Sequence, residues 1–194
     1  MTDPELLAGA DAIYLDTSVL PKIYLQEAAD NGPAILLFGF SQIPLFCSLV
    51  VVGEFFSVMG LRRTQETIGV PGYLYRCVAL LHDLETGRLR HIEPVEGASE
   101  FFQLADQLVA RRGGLGGGDI WHLMATAHLK QQFPSAVLLS YDDRLVSAAR
   151  QEGLAAVDGG SVDTIALEDA LRTAGRWLKV PGAAEQRVEA DEAG

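Results

Sequence analysis

Short, continuously apolar runs alternate along this chain with longer stretches of helical period. Residues 12–16 (Ala12, Ile13, Tyr14, Leu15, Asp16) are too few and too uniformly apolar for an amphipathic helix and predict a buried strand. A helix over 19–29 follows, with Thr17 or Ser18 placed to cap it. Asn31, Gly32 and Pro33 break it, and 34–40 predicts a second, short helix. The run 45–50 predicts the next strand. Helices are expected over 52–66, with Phe55, Val58 and Met59 at inward spacing, and over 73–85, ended by Gly87. A third strand is expected over 89–95. Residues 98–112 carry Phe101, Phe102, Leu104, Ala105, Leu108 and Val109 along one side of an amphipathic helix. The glycine-rich stretch 113–118 reads as a loop. A helix over 119–132, a strand over 136–140 and a helix over 143–152 come next, with Gly153 fitting the C-cap. A short fifth strand over 154–157 and a last helix over 162–178 complete the pattern, and 185–194 reads as an acidic, frayed tail.

Strands separated by helices imply an α/β fold with a mostly parallel five-stranded sheet covered on both faces. In such sheets ligands gather at the carboxyl ends of the strands, where the strand order switches direction. No repeat or linker divides the chain, so one domain is expected: a body over 1–160, extended by a C-terminal helix and tail over 161–194.

Composition narrows the picture. The chain has 194 residues, 48% hydrophobic and 21% charged, as expected of an ordered globular protein. Its formal charge of −11 argues against indiscriminate binding to a phosphate backbone, unless positive charge is local or comes with a metal. Cys47 and Cys77 are too few for a disulfide framework and read as buried thiols of a reducing cytoplasm. The N-terminus lacks the basic and apolar regions of a signal peptide. The uncharged stretch 31–53 is long enough to span a bilayer, but Gly39, Ser41, Gln42 and Pro44 interrupt it. A buried helix followed by a buried strand explains it better, and no membrane is expected.

Four carboxylates stand out. Asp16 and Asp142 close strands, Glu54 follows the apolar run ending at Val52, and Asp119 opens the run DIWHLMATA after the glycines. Each alone could be a cap or turn residue. Two unpaired carboxylates about 4 Å apart repel by roughly 4 kcal/mol at an effective dielectric of about 20. A cluster must therefore take up protons or hold a cation. Oxygen-only ligands suit Mg²⁺ or Mn²⁺ rather than zinc. Such ions acidify water and stabilise in-line phosphoryl transfer, which points to phosphate-ester hydrolysis.

The segments DTSVLPKIY from Asp16, EF from Glu54, DIWHLMATA from Asp119 and SYDDRL from Ser140 resemble PIN-domain ribonucleases, and most of all the VapC-type toxins of toxin–antitoxin modules. The likeness runs over residues 13–157. It implies a PIN-like three-layer α/β/α sandwich. It also implies an Mg²⁺- or Mn²⁺-dependent endoribonuclease that hydrolyses RNA by metal-activated water, leaving a 5′-phosphate and a 3′-hydroxyl. Asp16, Glu54, Asp119 and Asp142 would be the catalytic, metal-binding acids, with Asp16 and Asp119 the most direct ligands. Thr17, Ser18 and Ser140 would support them through hydrogen bonds. A cognate antitoxin and a homodimer are the implied partners.

Other features weigh less. The glycine stretch lacks the Gly-Lys-Ser/Thr of a phosphate loop. His122, one turn after Asp119, reads as a packed helix histidine or a substrate contact. Among Lys22, Arg62, Arg63, Arg111, Arg112 and Arg144, Lys22 is the best candidate for substrate binding, because it lies on the helix leaving Asp16. An aspartyl phosphatase would need an acid at position 14, where Tyr14 stands. A catalytically silent PIN-fold RNA-binding or interaction protein is the alternative.

Overall fold

Short runs along the chain, buried throughout at the centre of the sheet, set the architecture. The computed structural model describes residues 1–25, 32–94, 98–111 and 115–178. The runs form β1 (Ile13–Leu15), β2 (Leu45–Cys47), β3 (Leu89–His91), β4 (Val137–Ser140) and β5 (Ala155–Asp158). They make one sheet in the order β3-β2-β1-β4-β5 with every pairing parallel. All residues of β1, β2 and β4 are buried, as strands covered on both faces must be. Only the edge strand β3 turns Arg90 and His91 outward.

The helices among the described residues are α1 (Asp3–Ala8), α2 (Val19–Leu25), α3 (Gly32–Phe40), α4 (Leu49–Thr64), α5 (Val70–Glu85), α6 (Ala98–Arg111), α7 (Gly117–Gln132), α8 (Asp143–Gln151) and α9 (Thr164–Thr173). α7 packs on β1 and β4, α8 on β4 and β5, and α9 on α1 and α3. The chain leaves β1 toward β2 on one side and returns to β4 on the other, so the switch point lies between β1 and β4. Their register pairs Leu15 with Leu139. The next residues, Asp16 and Ser140, therefore emerge side by side at the carboxyl edge.

Several boundaries differ from the sequence expectation. α1 was not foreseen. Thr2 and Glu5 form a capping box around it, Thr2 N–H donating to Glu5 Oε2 at 2.8 Å, and Arg150 of α8 reaches Asp3. The run expected as a strand over 45–50 turns helical at Leu49. Gly117 and Gly118, expected in a loop, form the first turn of α7, with Gly116 as N-cap. The helix expected over 162–178 stops at Thr173, because Gly175 takes φ +68. Trp177 then bridges to Ser41 and stacks on Phe40, ring centroids 5.3 Å apart. On α6, Leu108 is buried but Phe102 and Val109 are exposed. The expectations for 26–29, Val95, 112–114 and the tail from 179 fall outside the described residues. Among the described residues no helix is long and apolar enough to cross a membrane.

Candidate active site

Asp16 is 4% exposed, and two serines hold it. Ser18 donates to Oδ1 at 2.6 Å and Ser140 to Oδ2 at 3.1 Å. The same two hydroxyls accept from the loop that follows β4: Ser18 Oγ from Tyr141 N–H at 2.8 Å, Ser140 Oγ from Asp142 N–H at 2.9 Å. One carboxylate thus clamps the ends of two neighbouring strands through a matched pair of hydroxyl bridges. Burial pushes the Asp16 carboxyl above its ordinary pKa, while Ser18, His122 and Ser140 pull the other way.

Asp142 caps α8, accepting from the N–H groups of Arg144 and Leu145, and pairs with the Arg144 guanidinium at 3.2 Å. Arg144 is the main reason its carboxyl lies below the ordinary value. Arg144 also feels the charge of Asp119. The helix α7 was expected to open at Asp119. That residue lies instead within the first turn and reaches back to accept from Gly116 N–H at 2.9 Å.

Glu54 projects from α4. Its Oε2 accepts from Thr17 and faces His122 Nε2 at 3.6 Å. His122, then Thr17, hold its carboxyl below the ordinary value against partial burial. A Cβ at Gly118 would stand 2.9 Å from Glu54 Oε1, so a side chain there would push the end of this acid aside. Lys22 Nζ sits 5.2 Å from the centre of the Tyr141 ring, on the flank of the same edge.

The four acids therefore follow one another around a single rim. Ser140 joins Asp16 to Asp142, and Arg144 pairs with Asp142 and feels the charge of Asp119. Gly118, next to Asp119, lies against Glu54, and Thr17, next to Asp16, donates to Glu54. As the side chains lie, each acid is turned toward a neighbour. Among the described residues no three His, Cys, Asp or Glu side chains gather in a group that could hold a metal ion. The donors are nevertheless all oxygen and share one rim, and a buried carboxylate without a nearby cation is costly. In donor chemistry the set fits a hard divalent cation.

Sequence reasoning missed a second polar line behind the rim. Tyr14, read as one more core residue of β1, is fully buried, and its hydroxyl lies 3.0 Å from Ser48 Oγ and 3.1 Å from His122 Nδ1. The available signal was a phenol inside a buried strand, which needs a polar partner.

No protein-family model matches the sequence, and no curated protein is similar to it. Solved structures share its fold. VapBC-1 from nontypeable Haemophilus influenzae is 16% identical with a TM-score of 0.51, over 76% of this chain and 98% of that one. FitAcB from Neisseria gonorrhoeae is 15% identical with a TM-score of 0.52, over 77% of this chain and 99% of that one. Identity at this level speaks for the fold alone, a PIN-like α/β/α sandwich.

Proposed function

We propose that this VapC-like PIN domain is a metal-dependent endoribonuclease that hydrolyses RNA phosphodiester bonds, acting as the toxin of a toxin–antitoxin pair. The observation that supports it best is the rim: four acids from β1, α4, α7 and the start of α8, set at the switch point where an α/β sheet places its ligands. Asp16 and Asp119, with Glu54 and Asp142, would hold Mg²⁺ or Mn²⁺. When bound, that ion supplies an acidified water and charge neutralisation for an in-line displacement.

The chain's own groups do the rest. Ser18 and Ser140 fix the Asp16 carboxylate between two strand ends, so its lone pairs keep one direction. Thr17 holds Glu54 beside it. Lys22 supplies a cation on the flank for a substrate phosphate. Arg144 neutralises Asp142, and its release to a phosphate would free that acid. A cognate antitoxin covering this edge, and a second copy of the chain, are the proposed partners; the proposed setting is the cytoplasm.

One observation favours the alternative, a silent PIN-fold RNA-binding or interaction protein: the acids are turned to protein partners rather than to one another. Cleavage of a structured RNA with Mg²⁺ or Mn²⁺, against EDTA, Asp16→Asn and Asp119→Asn controls, decides between them. Metal-dependent cutting lost in both variants is expected. RNA binding without cutting, unaffected by EDTA, would favour the silent domain. Equal turnover in either variant would refute the assignment.

A further inference from the structure

We infer that His122 is the positioning residue for Glu54, with its tautomer set from behind by Tyr14. This rests on the ribonuclease reading above, since it assigns Glu54 its place at the rim. Three elements meet at the imidazole: Tyr14 from β1, Ser48 from the start of α4, and His122 from α7, whose far nitrogen faces Glu54 on α4. His122 is 4% exposed, so neither ring nitrogen can rely on bulk water.

The hydroxyl order follows from Glu54: a carboxylate opposite Nε2 favours the ring's proton on that nitrogen and leaves Nδ1 an acceptor. A phenol has one proton. With Tyr14 donating to Nδ1 at 3.1 Å, Ser48 donates to the phenol oxygen at 3.0 Å, and both contacts are satisfied. Nδ1 is then the acceptor and the ring's proton must sit on Nε2, the nitrogen 3.6 Å from Glu54 Oε2. At that length the contact is long for a hydrogen bond, but its direction is fixed by the ring. Thr17 donates to the same oxygen. Thr17 and the imidazole thus both lie on Oε2, and Oε1 is left toward Gly118 and the rim.

Ser48 supports this reading. It stands at the N-cap of α4 yet makes no side-chain cap; the exposed Leu49 N–H is taken by Glu93 at 3.1 Å. The serine's hydroxyl serves Tyr14. A buried line thus runs from Ser48 through Tyr14 and His122 to Glu54, beginning and ending on one helix.

Two measurements on the full chain test the inference. In metal-free protein carrying ¹⁵N-histidine, long-range proton–nitrogen correlation should show His122 with Nε2 protonated and Nδ1 bare. Tyr14→Phe should abolish that preference. A proton on Nδ1 in the wild type, alone or together with one on Nε2, overturns the role given to Tyr14.

The second is Mn²⁺ titration calorimetry. His122→Phe should weaken binding by about tenfold or more, the usual scale when a group orienting a ligand is lost. Glutamine can place its amide nitrogen where Nε2 stood, whereas asparagine replaces only Nδ1. His122→Gln should therefore recover most of the affinity and His122→Asn should not. A purely space-filling role would leave His122→Phe close to wild type, because phenylalanine is the ring nearest in volume. Equal affinities, or asparagine above glutamine, overturn the positioning role alone. Absence of Mn²⁺ binding by the wild type, with no cutting, overturns the ribonuclease reading and this inference with it.

Discussion

Removing the Ser140 hydroxyl should cost far more than a serine usually does. Ser140 is fully buried and its Oγ makes two bonds, donating to Asp16 and accepting from Asp142 N–H. Ser140→Ala removes a hydrogen bond to a carboxylate, worth about 1.5–3 kcal/mol, and leaves a part-buried N–H without its acceptor, costing about 1–3 kcal/mol. The losses share atoms and do not simply add, so about 3 kcal/mol is expected. With a urea slope of about 2–3 kcal/mol/M for a chain of this size, the midpoint should fall by roughly 1–1.5 M.

Ser18→Ala should behave alike, because Ser18 makes the mirror-image pair of bonds to Asp16 Oδ1 and Tyr141 N–H. The double variant is the sharper test. Once one hydroxyl is lost, the buried carboxyl takes a proton more readily, and the second donor has less charge to stabilise. The double variant should cost less than the sum of the singles by at least about 0.5 kcal/mol, a coupling typical of groups in one network. Urea melts of the four proteins at constant pH measure this cycle. Single variants within about 0.5 kcal/mol of wild type, or strictly additive losses, would show that the two bridges do not act through one carboxylate.

The remaining predictions concern the same edge. The Asp16 carboxyl has a pKa raised by burial; its favourable contribution is complete below the unfolded pKa and fades as pH rises through the folded one. Asp16→Asn should therefore stabilise the metal-free chain at neutral pH and lose that advantage in acid, and thermal melts across pH that show a constant offset would contradict the sign. Glu54 and Asp142 are shifted down; they favour the fold above their unfolded pKa and lose this as pH falls, so replacing either should flatten the acid limb of the same curve. Gly118→Ala should raise intrinsic helix stability by about 0.5–1 kcal/mol while its methyl displaces Glu54 Oε1. Cleavage lost without a drop in melting temperature is the expected signature, and full activity would remove the need for glycine there. Gly159→Ala should destabilise by about 1–3 kcal/mol, because its Cβ would come within 2.6 Å of the Tyr141 ring; an unchanged midpoint would mean that the ring yields freely.

The middle of the sheet was legible because β1, β2 and β4 are buried on both faces. A continuous apolar run then has only one home. Where one signal served two structures, the reading failed. Apolar residues 45–52 carry no period, so the end of β2 and the start of α4 could not be told apart, and burial alone does not separate them. Gly116, Gly117 and Gly118 look alike in sequence, yet the first caps α7 and the next two are inside it, a difference set by Asp119 reaching back to Gly116 N–H. The Thr2–Glu5 capping box was readable and was passed over, since the N-terminus was weighed only as a targeting signal. Around the rim, the acids were visible because carboxylates at strand ends are unusual. Their supporting partners were less so. Nothing local in Tyr14, Ser48 or His122 shows that residues separated by up to 108 positions meet.

Net charge also misleads about this site. The chain carries −11 overall, but charges farther apart than about 8 Å are largely screened at physiological ionic strength. A phosphate at the rim responds to the groups on it. Two cations there are tied by the fold to acids: Lys22 lies on the helix that Asp16 precedes, and Arg144 directly pairs with Asp142. Among the acids, Asp142 is neutralised in place, Glu54 has His122 and Thr17 against it, and at Asp16 burial outweighs the groups that favour its charge. The local demand for a cation is therefore concentrated at Asp16, where two strand ends converge. Under the ribonuclease reading proposed above, an acidic chain can present such an edge to RNA if the positive charge is supplied locally, and the position of Asp16 at the switch point decides where that charge must come.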